Sequence, residues 1–171
     1  KLWGFYPDMS GKKFLKYDPN DFFYVSGDQW YLDNYGQNGG SSGIDINPQS
    51  AWDSYDGNGI HIGIIDDGLD YNNPDLSPNF VPSHSYDYCD NDADVLPIDS
   101  DNDGEIDWHG TAVAGIVSAK GNNSVGISGI SYNSELVGIR LIAESCNSEL
   151  SLDESEALAL THRLDDIDIY V

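Results

Sequence analysis

Basic side chains are scarce in this chain, with 7 Lys and Arg against 30 Asp and Glu and a net charge of -23. Such a surface repels phosphate backbones and anionic lipid, which argues against nucleic acid and the membrane surface as partners. It suits calcium, cationic peptides or plain solubility in salt, and charge alone does not choose among them. Long apolar runs are missing too: no stretch approaches the roughly 20 residues that span a bilayer, so a soluble protein is expected. The two cysteines, Cys89 and Cys146, form no metal-site spacing. They leave either one internal disulfide, as suits a secreted protein, or two buried thiols. No Gly-x-Ser-x-Gly elbow and no Gly-Thr-Ser segment occurs, so no serine stands out as a nucleophile. Lys1 stands where an initiator methionine would, which points to prior cleavage.

What is present is enough for a core. The 171 residues are 39% apolar with 11 tyrosines and 4 tryptophans, too aromatic for a disordered chain despite the charge. A chain of this length holds one domain, or most of one, and buries roughly 70% of its extended surface. Residues 1–34 alternate aromatics with turn formers and show no helical period, which reads as an irregular arm packed on the core by its rings. Gln37 to Ser42 is a Gly/Ser loop, and Asn47 to Trp52 starts a short helix. Ile60 to Ile65 (IHIGII) and Leu136 to Leu141 (LVGIRL) are short apolar runs of the kind that form buried parallel strands. His109 to Ala119 carries the small residues of a closely packed central helix, with Val113, Ile116 and Val117 as its larger apolar members. Ser151 to Leu164 places Leu152, Ala157, Leu158, Leu160 and Leu164 on helical spacing, and Ile167 to Val171 begins a further strand. This alternation of strand and helix gives an α/β fold with a parallel sheet, in which chemistry collects beyond the carboxyl ends of the strands.

Asp66 sits at one such strand end, and His109 opens the small-residue helix. A carboxylate so placed fixes a histidine tautomer and stabilises the imidazolium while the ring takes a proton from a serine hydroxyl. Gly68 and Gly110 beside them permit a tight turn and close backbone approach.

In this order and on these elements the two residues resemble the subtilisin-like serine proteases, and within them the kexin/furin-like branch. The resemblance runs from about Asp21 to Val171, through Gln29-Trp30-Tyr31-Leu32, Gly43 to Asn47, Ala51-Trp52, Ile64 to Leu76 (IIDDGLDYNNPDL), His109 to Gly115 (HGTAVAG), Gly121-Asn122-Asn123 and Gly138-Ile139-Arg140. It implies a three-layer subtilisin-like fold with a central, mostly parallel sheet, incomplete in this chain. Residues 35–171 would be the N-terminal part of the catalytic domain, with 1–34 as the arm. It makes Asp66 the triad acid and His109 the triad base. Asp67 and Asp107 match carboxylates that in this branch accept the basic residue next to the scissile one; solvated or calcium-bound carboxylates are the other reading. Glu156 matches a glutamate that recognises a more distant basic side chain, with an exposed helix glutamate as the alternative.

The resemblance also implies calcium, which needs several oxygens at short range. One expected site gathers Asp87, Asp92 and Asp94. A second takes Asp75, Asn123, the backbone of the loop Lys120 to Ile127 through Lys120, Val125 and Ile127, and upstream Asp21. A third candidate runs from Asp99 through Asp101, Asp103 and Glu105 to Asp107; it has the first half of an EF-hand loop, but Gly110 stands where the closing glutamate should be. If this loop binds calcium, Asp107 is a ligand instead of a substrate contact.

Relatives place the oxyanion-hole asparagine and the serine beyond the strand near Val171. The leading expectation is a calcium-dependent serine endopeptidase acting on peptide or protein substrates with basic residues. Its serine and asparagine come from a companion C-terminal chain, most simply the product of a nick in one precursor. The competing expectation is a non-catalytic, calcium-stabilised binding or inhibitory fragment of the same fold. Secretion or a periplasm fits the family, and intracellular relatives exist.

Overall fold

The runs rich in Ile and Val become adjacent parallel strands. In chain order the elements are strands β1 (Gly4–Pro7) and β2 (Lys13–Lys16), helices α1 (Phe22–Val25) and α2 (Gln49–Trp52), strands β3 (His61–Asp66) and β4 (Tyr86–Asp87), helix α3 (His109–Ser118), strand β5 (Glu135–Arg140), helix α4 (Leu152–Leu160) and strand β6 (Ile169–Tyr170). The computed structural model describes residues 4–7, 13–99, 106, 108–143, 146 and 152–171. Strands β4, β5, β3 and β6 lie side by side in that order, every pair parallel. The register pairs His61 with Glu135 and Asp66 with Arg140, so the carboxyl ends of β3 and β5 finish together.

Successive side chains on a strand face opposite ways, and the two faces carry different cores. Ile62, Ile64 and Leu136 pack with Ala114 and Ala119 and against Val113 and Val117, on the α3 side. Val137, Ile139 and Leu141 pack with Ala159 of α4, with Ile65 alongside. The result is helix, sheet, helix, the expected three layers. Leu136 and Val137 are fully buried, and truncating either to alanine costs about 3 kcal/mol. Asp66 shares parity with Ile62 and Ile64, so its side chain falls on the α3 face.

Three local expectations change. The arm is not irregular throughout: β1 and β2 pair antiparallel, Gly4 opposite Lys16. Gly4 and Pro7 are poor strand formers, which hides the hairpin from a propensity reading. Downstream, Tyr17 stacks on Tyr132 at 4.0 Å, and the Trp52 indole N–H donates to the Ile130 carbonyl at 2.7 Å. The last long helix ends at Leu160, earlier than Leu164. There the Thr161 hydroxyl donates to the Ala157 carbonyl and Arg163 takes a left-handed φ of 51°. Its buried face is Ser155 and Ala159, while Leu158, Leu160 and Leu164 are exposed.

Candidate active site

Helix α3 begins without help from its own N-cap residue, Trp108, which makes no side-chain cap bond. The role passes to a carboxylate from the neighbouring strand end. Asp67 Oδ2 accepts from the His109 backbone N–H at 2.9 Å, and Oδ1 from the Gly110 N–H at 2.8 Å. Two amides left open at the start of a helix thus meet a negative charge, which the helix dipole favours. Gly110 is required by contact: a Cβ there would stand 2.7 Å from the Asp66 Cβ and would run into the Gly68 carbonyl. Gly68 itself has φ 151° and lies against Pro97.

This arrangement delivers the imidazole to Asp66. His109 Nδ1 lies 2.9 Å from Asp66 Oδ1 and 2.8 Å from Oδ2. A carboxylate only accepts, so Nδ1 carries the proton and Nε2 is left with a lone pair. The His109 side chain is 76% exposed against 15% for Asp66, and no partner engages Nε2 among the described residues. The pair can therefore accept a proton from a group brought to Nε2. The Asp67 N–H donates to Asp66 Oδ1 at 2.8 Å, and the Asp66 carbonyl accepts from the Leu141 and Ile142 amides.

Of the expected substrate contacts, Asp67 lies at the start of α3. It is 8% exposed, and its two oxygens accept from the two helix amides. Glu156 is exposed on α4 and helps line a pocket of 280 Å³ with Ile65, Leu141, Ile142, Leu160, Tyr170 and Val171. Asp107 lies outside the described residues.

The structure brings together one calcium set and breaks up another. Asp21 is fully buried and accepts from the Asn122 and Asn123 amides. Asp75 is 6% exposed and accepts from the Asn123 side-chain amide at 2.7 Å and the Ile127 N–H at 2.8 Å. Burial pushes both carboxyls up, against the pull of those amides, and the charge of Asp75 pushes Asp21 further. None of the hydrogen bonds among the described residues ends on the carbonyls of Lys120, Val125 or Ile127. Buried hard oxygens facing each other across such a loop fit a calcium ion.

The expected set of Asp87, Asp92 and Asp94 is not gathered. Asp87, 1% exposed, receives the Arg140 guanidinium at 2.7 Å, and Asp90 receives the same Nη1 at 2.9 Å. Burial works against the Arg140 charge, but the bonds and attraction of Asp87 and then Asp90 outweigh it and raise its affinity for the proton. Asp92 caps the Asp94 amide, and Asp94 accepts from the Tyr71 hydroxyl. A cation is already present there, and it is a side chain. Arg140 entered the sequence reading only through a motif; a lone arginine in an apolar strand is itself a signal, because burial demands a carboxylate partner. Among the described residues no cluster of three or more His, Cys, Asp or Glu could hold a metal. Asp101, Asp103 and Glu105 lie outside those residues, so of the acids in the third loop only Asp99 is described.

Cys89 and Cys146 form a disulfide, which decides between the two expected states. The bridge ties the Asp87 loop to the segment that follows β5.

Comparison with known proteins agrees with this geometry. The profile of the Subtilase family matches residues 57–170. Human neuroendocrine convertase 2 is 42% identical over 146 residues, 83% of this chain and 22% of that protein. A PC3-like endoprotease of Hydra vulgaris is 40% identical over 154 residues, 90% of this chain and 20% of that protein. The serine protease of Aeromonas sobria, solved with its chaperone, superposes with a TM-score of 0.71 at 28% identity, over 96% of this chain and 26% of that one. The chain thus spans about a fifth to a quarter of the length of these relatives. With a carboxylate and a histidine in hydrogen-bond contact at the carboxyl end of an interior parallel strand and a family match over residues 57–170, the chain belongs to the subtilase family, and its likeness to convertases supports the kexin-like branch.

Proposed function

We propose that this chain supplies the acid and base of a calcium-dependent serine endopeptidase. The observation that carries the reading is His109, held through Nδ1 by both Asp66 oxygens while its ring stays open. His109 acts as general base toward a serine hydroxyl, taking the proton at Nε2 and later returning it to the leaving amine. Asp66 keeps the tautomer and faces the imidazolium while the charge is present. The serine and the oxyanion asparagine come from a segment outside these 171 residues, in the finer reading a companion C-terminal chain of the same precursor. Peptides or proteins with basic residues near the scissile bond are the substrates. Glu156, an acid lining the pocket beside Ile65 and Leu141, supports that preference, and Asp107 is assigned to the same role. The charge balance supports it too, since a net charge of -23 attracts cationic segments.

Calcium, held by Asp21, Asp75, Asn123 and the carbonyls of Lys120, Val125 and Ile127, would neutralise two buried carboxylates and brace the loop, with no part in the proton transfers. Residence in a secretory or periplasmic compartment is supported by the Cys89–Cys146 disulfide. Among the described residues no helix is long and apolar enough to cross a membrane.

The test is fluorophosphonate labelling and peptide hydrolysis by the full-length protein, followed by mass spectrometry of the labelled polypeptide. Labelling that is lost in His109→Ala is expected. A labelled serine on a separate polypeptide supports the companion chain, whereas a labelled serine on the polypeptide carrying His109 replaces it with one continuous chain. An unlabelled, inactive wild-type protein rejects the enzyme.

A further inference from the structure

We infer that the loop following Trp30 forms a binding site for a neutral sugar, separate from the acid-base pair and from the Asp21 and Asp75 cluster. Trp30, Asn34, Gln37, Asn38, Ser41 and Ile44 line a pocket of about 410 Å³ there, within the range of small-molecule sites. No charged side chain lines it, in a chain with 30 acids and 7 bases. An ionic ligand would find no partner in its walls.

The polar groups of the pocket divide into two sets. Asn34 and Gln37 are spent on the backbone and set the shape of the loop. Asn34 Nδ2 donates to the Ile44 carbonyl at 3.0 Å, and its Oδ1 accepts from the Gly36 N–H at 3.0 Å. Gln37 Nε2 donates to the Asp33 and Gly27 carbonyls at 2.7 and 3.1 Å, and its Oε1 accepts from the Tyr35 N–H at 2.8 Å. The second set is uncommitted: among the described residues no hydrogen bond engages the Trp30 indole N–H, the Asn38 amide or the Ser41 hydroxyl. Trp30 is 49% exposed and meets Tyr31 edge-on at 6.3 Å, and Ile44 is 67% exposed beside it.

This second set matches the surface of a sugar ring. The negative face of an indole attracts weakly positive C–H bonds, while an amide and a hydroxyl together offer donors and acceptors to ring hydroxyls. A proline-rich peptide uses a groove lined by aromatics, and Trp30 is the one aromatic side chain lining this pocket among the described residues. The wall is also preset. Gly36, Asn38 and Gly39 hold left-handed φ of 94°, 61° and 77°, and the Asn34 and Gln37 bonds fix the turns between them. A site already shaped in this way orders little of the chain on binding.

The full-length protein is titrated with cellobiose, maltose and N,N′-diacetylchitobiose while the Trp30 indole N–H resonance, assigned by its disappearance in Trp30→Phe, is followed. At least one disaccharide is expected to move that resonance along a saturable curve. Asn38→Gly, which suits the left-handed backbone and removes the amide, should weaken this binding about tenfold by calorimetry, and Ser41→Ala should weaken it less. A Trp30 resonance that none of the three sugars moves overturns the inference. Unchanged affinity in Asn38→Gly, or tighter binding of a proline-rich decapeptide than of any sugar, overturns it too.

The wild-type titration decides the matter even if neither variant folds, and it needs no turnover, so an inactive protein leaves it intact. A glycopeptide with diacetylchitobiose on its asparagine separates two sources of the same chemistry. Tighter binding than the free disaccharide assigns the site to protein-linked glycan, and equal or weaker binding assigns it to a free saccharide.

Discussion

Two acid-rich loops flank the sheet and meet their charge in opposite ways. In the Asp21, Asp75 and Asn123 region two buried carboxylates accept from amides among the described residues, and burial pushes both up. In the Asp87 loop the buried carboxylate faces Arg140, whose guanidinium reaches Asp90 as well. A count of acids does not separate the two; the nearest cation does. A buried carboxylate pair without a guanidinium needs a metal ion or a proton, whereas one that has a guanidinium needs neither.

Removing Arg140 is the strongest way to break this contrast. Arg140→Gln leaves Asp87 buried and unneutralised and should sit near the upper end of the roughly 3–5 kcal/mol that breaking a buried pair costs. Urea unfolding of the full-length protein, with the midpoint shift at constant slope, measures it. If the variant instead gains stability from calcium, the Asp87 loop has been converted into a metal site and the contrast is confirmed by inversion. Reducing the Cys89–Cys146 bridge, which spans 57 residues beside the same loop, should cost about 3–4 kcal/mol, seen as a lower Tm in reductant.

Chelation comes next in size. A calcium ion present at about 100 times its Kd contributes about 2.7 kcal/mol, so chelator should lower Tm and activity of the wild type. Asp75→Asn should abolish that increment, and Asp92→Asn should keep it; an unchanged Tm in chelator removes calcium from the account. The smallest effect is expected at Asp94, where Asp94→Asn on an exposed loop should change stability by less than about 0.5 kcal/mol.

The sheet and the acid-base pair were readable because their signals are local. The runs around β3 and β5 alternate between two cores, and the small residues of α3 permit close packing; His109 and Asp66 sit at the ends of those elements. The Asp87–Arg140 pair, 53 residues apart in sequence, was not readable, because nothing along the chain records which distant side chain meets an acid. The contacts of Asp67 with the helix amides were not readable for a related reason. Its residue type fits a basic substrate as well as it fits two helix amides, and only packing chooses. The Asp21 and Asp75 cluster was named through resemblance, and burial supplies its physical rationale.

The parity of Asp66 on β3 has a consequence for folding quality. It shares a face with Ile62 and Ile64, so a slip of β3 by one residue would turn these apolar side chains toward α4 and carry the carboxylate away from His109 in the same movement. No misaligned isomer could keep the core and the pair separately. Proton-accepting competence at His109 is thereby a readout of strand alignment, and a mispaired molecule is silenced by the same geometry that misfolds it.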